Sequence, residues 1–165
     1  MERTNLPDGR EISRLVEQYA DMLLRVALNR TQNLAEAEDI IQTVYLRLLR
    51  VRPRFWSEEH ERAWLLRTAI NLCKDYRKSA ARRSCVPLEG QDVAVFPEET
   101  TQVLEAICQL PENDRYVVYL YYFEHLSIGK IAQLLHEKEG TVSSRLSRAR
   151  KKLKPLLKGE GYESL

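Results

Sequence analysis

The chain has 165 residues, of which 44% are hydrophobic and 30% are charged. This length allows one medium domain or two small ones, and six glycines and six prolines argue against a turn-rich β architecture. No apolar run reaches the ~18 residues of a membrane span, and the N-terminal residues lack the apolar core of a signal peptide. We therefore expect a helical protein that works in the cytoplasm.

The net charge of +2 hides an uneven distribution of charge along the chain. Residues 74–83 and residues 138–158 are rich in Lys and Arg, whereas residues 89–105 carry five acids and no base. Clustered basic residues are typical of polyanion-binding surfaces. The sequence thus predicts two polyanion-binding segments separated by an acidic one.

The cysteines and histidines show no spacing that indicates a metal site or a disulfide framework. Cys73, Cys85 and Cys108 include no close pair, and the three histidines are scattered. We expect three reduced thiols, as is usual inside cells, and neither a metal nor another cofactor.

The first half of the chain begins with two amphipathic helices. Apolar residues recur at steps of three and four over residues 12–30 and over residues 34–51. Asn33 and Glu36 form a capping-box-like start for the second helix, and Pro53 stops it.

A third, long helix is expected from about residue 58 to residue 82, with Ser57 as a plausible N-cap. Phe55 and Trp56 stand in the loop just before it. Unpaired nucleic-acid bases stack on aromatic side chains of this kind. Phe55 and Trp56 are therefore candidates either for that contact or for the core, whereas Trp64, inside the helical pattern, is expected to pack in the core.

Helical periodicity fails from about Ser84 to Glu99, where two prolines and a glycine predict a linker. It returns in residues 101–110. Residues 112–124 are rich in β-branched and aromatic side chains, which favours a strand. The acidic start after Pro111 and the helical surroundings favour a helix instead, so the predicted fold class is all-α.

The segments SIGKIAQLLHE and GTVSSRLSRARKKLKPLL form a helix-turn-helix pattern. Ala132 is the small residue needed where two steeply crossing helices touch, and His136 occupies the turn, where glycine fits more easily. The second helix is expected to face inward at Val142, Leu146, Ala149 and Leu153. Its outward face carries hydroxyls and cations, which suit a helix in the major groove of DNA. These outward residues are Thr141, Ser144, Arg145, Arg148, Lys151 and Lys152.

Three segments resemble the sigma-70 family of RNA polymerase sigma factors, in its extracytoplasmic-function (ECF) subgroup. AEAEDIIQTVYLRL (35–48) is similar to the family helix that grips the clamp helices of the polymerase. AWLLRTAINLCKDYRKSAARR (63–83) resembles the segment that recognises and melts the −10 element, and residues 110–153 resemble the −35-binding domain. Three positions depart from the family pattern: Tyr45 replaces the usual phenylalanine, and His136 and Lys138 replace the common Gly and Ser.

The resemblance implies two helical domains, at residues 10–83 and 100–158, joined by a flexible acidic linker at residues 84–99. The linker would thread through the RNA exit path of the polymerase. The protein would have no enzymatic activity of its own and would direct the polymerase to promoters. Implied partners are the beta and beta-prime subunits of bacterial core RNA polymerase, promoter DNA and an anti-sigma factor.

The same resemblance implies three groups of site residues. Core polymerase would bind Glu38, Asp39 and Gln42. The −10 element would be recognised and melted by Phe55, Trp56, Asn71, Lys74, Arg77 and Lys78. The −35 element would be bound by Lys138, Thr141, Ser144, Arg145, Arg148, Lys151 and Lys152.

Two other classes of function are weighed against this one. A stand-alone helix-turn-helix repressor or activator would use the C-terminal half in the same way and its front half for dimerisation or sensing. It would need neither the acidic front of the helix at residues 34–51 nor a basic helix flanked by aromatic residues. An enzyme is disfavoured, because the sequence has no Gly-rich phosphate loop, metal cluster or nucleophile elbow.

Overall fold

The computed structural model describes residues 9–80 and 101–157, and within these ranges the chain forms helices and no strand. The helices are α1 (Gly9–Thr31), α2 (Leu34–Val51), α3 (Glu58–Ala80), α4 (Thr101–Cys108), α5 (Glu112–Tyr122), α6 (Ile128–Leu135) and α7 (Glu139–Leu156). The chain divides into two compact units, Met1–Gln91 and Asp92–Leu165. The all-α prediction is confirmed.

Helices α1, α2 and α3 pack against one another in the first unit. Their predicted apolar faces supply its core, which includes Leu15, Leu23, Val26, Ile40, Val44, Leu48, Leu65, Ala69 and Ile70. Burying one large aliphatic side chain contributes roughly 1.5–3 kcal/mol, so this contact is the main support of the unit. Val51 was expected on the same apolar face but is exposed, because it is the last residue of α2.

Local capping determines where α2 begins and ends. Asn33 is its N-cap, and the side-chain oxygen of Asn33 accepts a hydrogen bond from the Glu36 backbone N–H at 3.1 Å. Arg52 closes the helix in the left-handed backbone region, with φ of 46°, and Pro53 follows. The observed helix, Leu34–Val51, confirms the predicted bounds of α2. Residues at or next to each end determine where it begins and ends.

A buried carboxylate joins α1 to the start of α3. Glu61 Oε1 accepts a hydrogen bond from Arg14 Nη2 at 2.6 Å, and Glu61 Oε2 accepts one from the Tyr19 hydroxyl at 3.2 Å. Burial, with the neighbouring negative charge of Glu61, raises the pKa of Tyr19 to about 12. The three groups satisfy one another's hydrogen bonds in an otherwise apolar contact.

The second unit contains the predicted helix-turn-helix as α6, the turn at residues 136–138, and α7. The apolar residues through which α6 and α7 meet are buried: Ile131, Ala132, Leu134, Leu135, Val142 and Leu146. Ala149 and Leu153 continue the inward face of α7, as predicted. Helix α7 packs against α4, α5 and α6, and among the described residues its opposite face is exposed.

Residues 112–122 form helix α5, which decides between the two readings of this segment in favour of the helix. Residues 116–120 are all buried. A helix that is covered on every side has no polar face and therefore no clear amphipathic period. This is why its β-branched and aromatic residues resembled a strand in the sequence.

His136 ends α6 with φ of 55°, in the left-handed region. The backbone N–H of Glu137 donates to the carbonyl of Ala132 at 2.9 Å, the bond that closes a helix in a Schellman motif. Glycine adopts this conformation without steric cost, so the unusual residue noted in the sequence occupies a strained position. Gln32, Arg52 and His125 share this backbone region, each shortly after a helix ends.

The predicted linker at residues 84–99 lies outside the described residues, as do Cys85 and the proposed domain limits at residues 83, 100 and 158. In the part of the chain that the structure describes, none of the helices combines the length and the apolarity that crossing a membrane requires.

Candidate nucleic-acid and partner interfaces

An exposed stripe runs along α2 on the side away from the core. Glu38, Asp39 and Gln42, the predicted polymerase-binding residues, lie on it with exposed side chains. Leu46 and Leu49 continue it at helical spacing and are 62% and 44% exposed. We call these five residues the outer stripe of α2. Neighbouring large apolar side chains left in solvent beside polar ones are typical of a protein-binding surface.

Tyr45, which stands where the family usually has phenylalanine, is half-buried beside this stripe. Its hydroxyl donates a hydrogen bond to the backbone carbonyl of Val16 on α1 at 3.4 Å, and burial raises the pKa of Tyr45. The hydroxyl, which a phenylalanine would lack, therefore adds a polar contact between α1 and α2.

Aromatic rings cluster where the loop after α2 meets the start of α3. Trp56 is 81% exposed, and its indole stacks on the His60 imidazole with centroids 4.0 Å and planes 14° apart. Phe55 is half-buried and meets His60 and Trp64 edge-on, at centroid distances of 5.4 and 6.0 Å. Phe55 thus packs within the cluster, whereas Trp56 presents its ring to solvent. Trp64 is half-buried instead of fully within the core.

The outer face of α3 carries the other described −10 candidates. Asn71 and Lys74 are half-buried, and Arg67, one turn earlier, is exposed. Steps of four and three residues place these three on one side of the helix. The side chains of Arg77 and Lys78 lie outside the described residues, although the helix continues to Ala80.

Helix α7 presents a polar face opposite its buried one, which we call the groove face. Most of the predicted −35 residues are exposed there: Lys138, Thr141, Ser144, Arg148, Lys151 and Lys152. The Ser144 hydroxyl donates to the carbonyl of Gly140 at 2.8 Å, which keeps this short side chain close to the helix. Short side chains beside long cations allow a helix backbone to approach DNA closely while the cations reach outward.

Arg145 differs from its predicted outward position. Its side chain is only 16% exposed and forms an ion pair with Glu137 in the turn before α7. The pair joins the turn to the second turn of α7, so Arg145 supports the geometry of the motif. Its assignment to base contact stays a prediction.

Arg150 lies on another side of α7. Its Nε donates to the Tyr122 hydroxyl at 2.8 Å, and its guanidinium carbon lies 5.6 Å from the centre of the Tyr121 ring. This cation therefore anchors α7 to α5. The basic residues of α7 thus form two groups. One group is exposed at the groove face, and the other, which includes Arg150, supports the fold.

A carboxylate from α5 reaches the groove face of α7. Asp114 Oδ1 accepts a hydrogen bond from Arg148 Nη2 at 3.4 Å, and Asp114 Oδ2 lies 3.9 Å from Lys152 Nζ. The side chain of Asp114 is 6% exposed, whereas that of Arg148 is 60% exposed. Two predicted DNA-contacting cations are thus paired with one buried acid.

The described thiols are placed differently from one another. Cys73 is buried in the first unit, where burial raises its pKa to about 12. Cys108 is half-buried in the second unit. Within residues 9–80 and 101–157, no three His, Cys, Asp or Glu side chains are grouped so as to hold a metal.

Several residues at these surfaces were not predicted from the sequence: Leu46, Leu49, His60, Arg67 and Asp114. The two leucines gave a signal, since α2 has more apolar residues than one buried face requires. Arg67 gave one too, because it lies four residues before Asn71. Asp114 gave none, because it is 34 residues from Arg148 and meets it only through the packing of α5 on α7.

Family models built from known proteins match segments of both units. The family model for sigma-70 region 2 matches residues 15–83, and the model for sigma-70 region 4 matches residues 100–153. The ECF RNA polymerase sigma factor SigL of Mycobacterium tuberculosis is 32% identical, over 89% of this chain and 89% of SigL. The RNA polymerase sigma-H factor of Pseudomonas aeruginosa is 29% identical, over 96% of this chain and 94% of that protein.

A solved structure shares the helical fold. The sigma factor RpoE in complex with the anti-sigma factor NepR, from Bartonella quintana, matches with a TM-score of 0.69 at 20% identity. The match covers 92% of this chain and 99% of that chain. At this level of identity the likeness concerns the fold alone.

Proposed function

Because the chain belongs to the sigma-70 family of RNA polymerase sigma factors, in its ECF group, we propose how its surfaces divide the work of transcription initiation. The protein is a sigma factor that directs core RNA polymerase to promoters. We assign core binding and −10 recognition to a domain at residues 10–83 and −35 recognition to a domain at residues 100–158. Residues 84–99 are the linker between them.

Core polymerase binds the outer stripe of α2. The observation that carries this proposal is the exposure of the stripe. The stripe is exposed, faces away from the core of its own unit and combines acids with apolar side chains. Burial of Leu46 and Leu49 would contribute about 1–2 kcal/mol each, while Glu38, Asp39 and Gln42 make the polar contacts that set specificity.

The opened −10 strand is held by the aromatic cluster and the outer face of α3. An unpaired base stacks on Trp56, a contact worth roughly 1–3 kcal/mol, and Phe55 supports the cluster from inside. Asn71 reads a base edge, since an amide offers both a donor and an acceptor. The cations of the helix hold phosphates, and these are Arg67, Lys74, Arg77 and Lys78.

Helix α7 enters the major groove of the −35 element. Thr141 and Ser144 allow the close approach, and Arg145 and Arg148 pair with base edges, as Arg does with guanine. Three lysines hold the phosphate backbone: Lys138, Lys151 and Lys152. Readout and anchoring are thus shared between two kinds of side chain on one helix.

The protein carries out no chemical reaction of its own, since the polymerase supplies the chemistry. It works in the bacterial cytoplasm, where polymerase and promoters meet. An anti-sigma factor binds it and withholds it from the polymerase by covering the outer stripe or the DNA-binding faces. Membership of the sigma-70 family supports this partner. RpoE, which shares the fold, was solved in complex with the anti-sigma factor NepR.

Co-elution with core polymerase tests the assignment of the outer stripe. The purified chain is mixed with sigma-free bacterial core RNA polymerase and separated by size exclusion, alongside Asp39→Arg and Gln42→Ala. Glu17→Arg, a charge reversal at an exposed acid of α1, is the matched control. We expect wild type and Glu17→Arg to co-elute with the core, Gln42→Ala to co-elute less, and Asp39→Arg to stay free.

The opposite result is also informative. If the wild-type chain stays free of the core yet shifts duplex DNA by itself, the polymerase role is wrong and a stand-alone regulator becomes the better account. If Asp39→Arg and Glu17→Arg behave alike, the polymerase binds another surface of the first unit.

A further inference from the structure

The side chain of Asp114 is an unusual neighbour for a DNA-binding surface. It comes from α5, outside the helix-turn-helix, and its two oxygens face Arg148 and Lys152 on the groove face of α7. A carboxylate close to DNA repels the phosphates, which weakens binding to DNA of any sequence. We therefore look for an advantage of this acid that outweighs the weaker DNA binding.

Stabilisation of the fold explains only part of why an acid is found here. Asp114 lies in the first turn of α5, where an acid favours the positive helix N-terminus, but this effect needs no cation partner on α7. Arg148 and Lys152 are 60% and 51% exposed, and ion pairs of such exposed cations contribute little to stability. Helix α5 is already attached to α7 through apolar packing and through the contact between Arg150 and Tyr122.

The geometry favours a role in recognition. Arg148 contacts Asp114 through Nη2. A guanidinium has five N–H donors in a fixed plane, so one contact leaves the others available. Holding the side chain in advance reduces the conformational freedom that it would lose on meeting a base.

We propose that Asp114 is a positioning residue that holds Arg148, with help from Lys152, in the orientation that reads a base of the −35 element, while its negative charge weakens binding to DNA of other sequences. This inference rests on the proposed −35 role of α7. Asp114 acts on specificity through Arg148 and makes no contact with DNA itself.

Arg145 provides a comparison within the same helix. Its carboxylate partner, Glu137, holds it against the turn and leaves it 16% exposed. Arg148 has a carboxylate partner as well but keeps most of its side chain in solvent. Of the two arginines, Arg148 is therefore the one that is both held and accessible.

A double-mutant cycle tests the proposal in the holoenzyme. Core polymerase is loaded with wild type, Asp114→Asn, Arg148→Ala or the double variant and bound to a library of duplexes with a randomised upstream promoter region. The bound molecules are sequenced. Affinity for a mixed-sequence duplex without a promoter is measured at the same salt concentration, and Glu105→Gln on α4 removes an exposed charge from the same unit as a control.

Arg148→Ala should erase the preference at one or two base positions. At those positions Asp114→Asn should lower the preference about three- to tenfold, a fraction of what a good Arg–guanine pair discriminates. Its affinity for the mixed-sequence duplex should rise about twofold, because a negative charge near the phosphates is gone. In the Arg148→Ala background, Asp114→Asn should change the preference no further, and Glu105→Gln should match wild type.

Three results would overturn the inference, and the third would overturn the proposed function as well. If Asp114→Asn lowers both the preference and the mixed-sequence affinity, with or without Arg148, then Asp114 supports only the fold. If Arg148→Ala changes no base preference, Asp114 has no reader to position, although the sigma role stands. If the wild-type holoenzyme selects no sequence at all, the proposed function fails together with the inference.

Discussion

The indole of Trp56 stands in solvent with one face covered by the imidazole of His60. Tryptophan is usually well buried, so an 81% exposed indole leaves unused a large apolar surface that would otherwise contribute to stability. The pair His60–Trp56 already forms two layers of a ring stack. An unpaired base would add a third layer, and this stacking would explain why the ring is left exposed.

We expect Trp56→Ala to impair promoter opening and to leave the fold intact. Loss of one stacked base costs roughly 1–3 kcal/mol, which is about 5- to 150-fold in the equilibrium between closed and open complexes. Permanganate reactivity of promoter thymines in the holoenzyme complex measures the opening. Trp56→Phe should keep a large part of it, because a ring remains. Equal opening by wild type and Trp56→Ala would remove Trp56 from the melting site.

Cys73 illustrates how burial controls reactivity. The thiolate is the reactive form of cysteine, and burial raises the pKa of Cys73 to about 12. The deprotonated fraction therefore stays very small until the pH approaches that value. We expect iodoacetamide at pH 8 to label Cys108 well before Cys73 in the folded chain, as measured by peptide mass mapping. Unfolding in urea should abolish the difference, and rapid labelling of Cys73 in the native protein would contradict its burial.

At the scale of the element, the helix ends carry local strain. Among the residues that the structure describes, four other than glycine, at positions 32, 52, 125 and 136, adopt left-handed backbone conformations shortly after helices end. Each costs about 1–2 kcal/mol relative to the right-handed region. The packed helices on either side hold these residues in place, so the turns are specified by tertiary contacts as well as by local sequence.

His136→Gly should stabilise the second unit. Glycine removes the strain at φ of 55°, and its greater freedom in the unfolded chain offsets part of the gain, which leaves up to about 1 kcal/mol. Urea denaturation of the full chain, followed by a probe in the second unit, measures the free energy of unfolding. Gln133→Gly, an exposed site inside α6, is the control and should destabilise the unit by about 1 kcal/mol. If both variants lose stability equally, His136 is not strained.

The elements differ in how far the sequence could predict them. The bounds of α2 follow from Asn33 and Pro53, which act on their immediate neighbours, and the buried faces of α6 and α7 follow from helical spacing. The central residues of α5 are buried on every side and lack the periodic signal, so its helix was predicted from the acidic start and the helical surroundings. In the candidate site, spacing predicted the exposure of the groove face except at Arg145, and the family resemblance supplied the polar residues of the outer stripe. The pairs Asp114–Arg148 and Glu137–Arg145 depend on three-dimensional packing.

At the scale of the whole molecule, the proposed function assigns one DNA-binding surface to each of the two compact units. Each surface is small, and each alone would bind weakly. When a partner holds both units in place, binding of one DNA element raises the effective concentration of the other unit at its own element. The polymerase is the partner that can provide this fixed separation.

We therefore expect the free chain to bind promoter duplex at least about 100-fold more weakly than the holoenzyme, the lower end of the gain from linked binding. Electrophoretic mobility shifts with the free chain, with the core alone and with the holoenzyme measure the difference. Asp39→Arg, mixed with core, should show no gain over the core alone. Tight binding by the free chain would mean that its units are arranged for DNA without the polymerase.

The outer stripe of α2 also affects how much of this protein can accumulate in a cell. Leu46 and Leu49 are exposed whenever nothing covers them, and uncovered apolar surface favours self-association and aggregation. A partner that binds only the folded chain stabilises it by mass action. Molecules made in excess of free polymerase and inhibitor are thus the least protected against proteolysis. The standing supply of the subunit would then follow the number of its partners more closely than the rate of its synthesis.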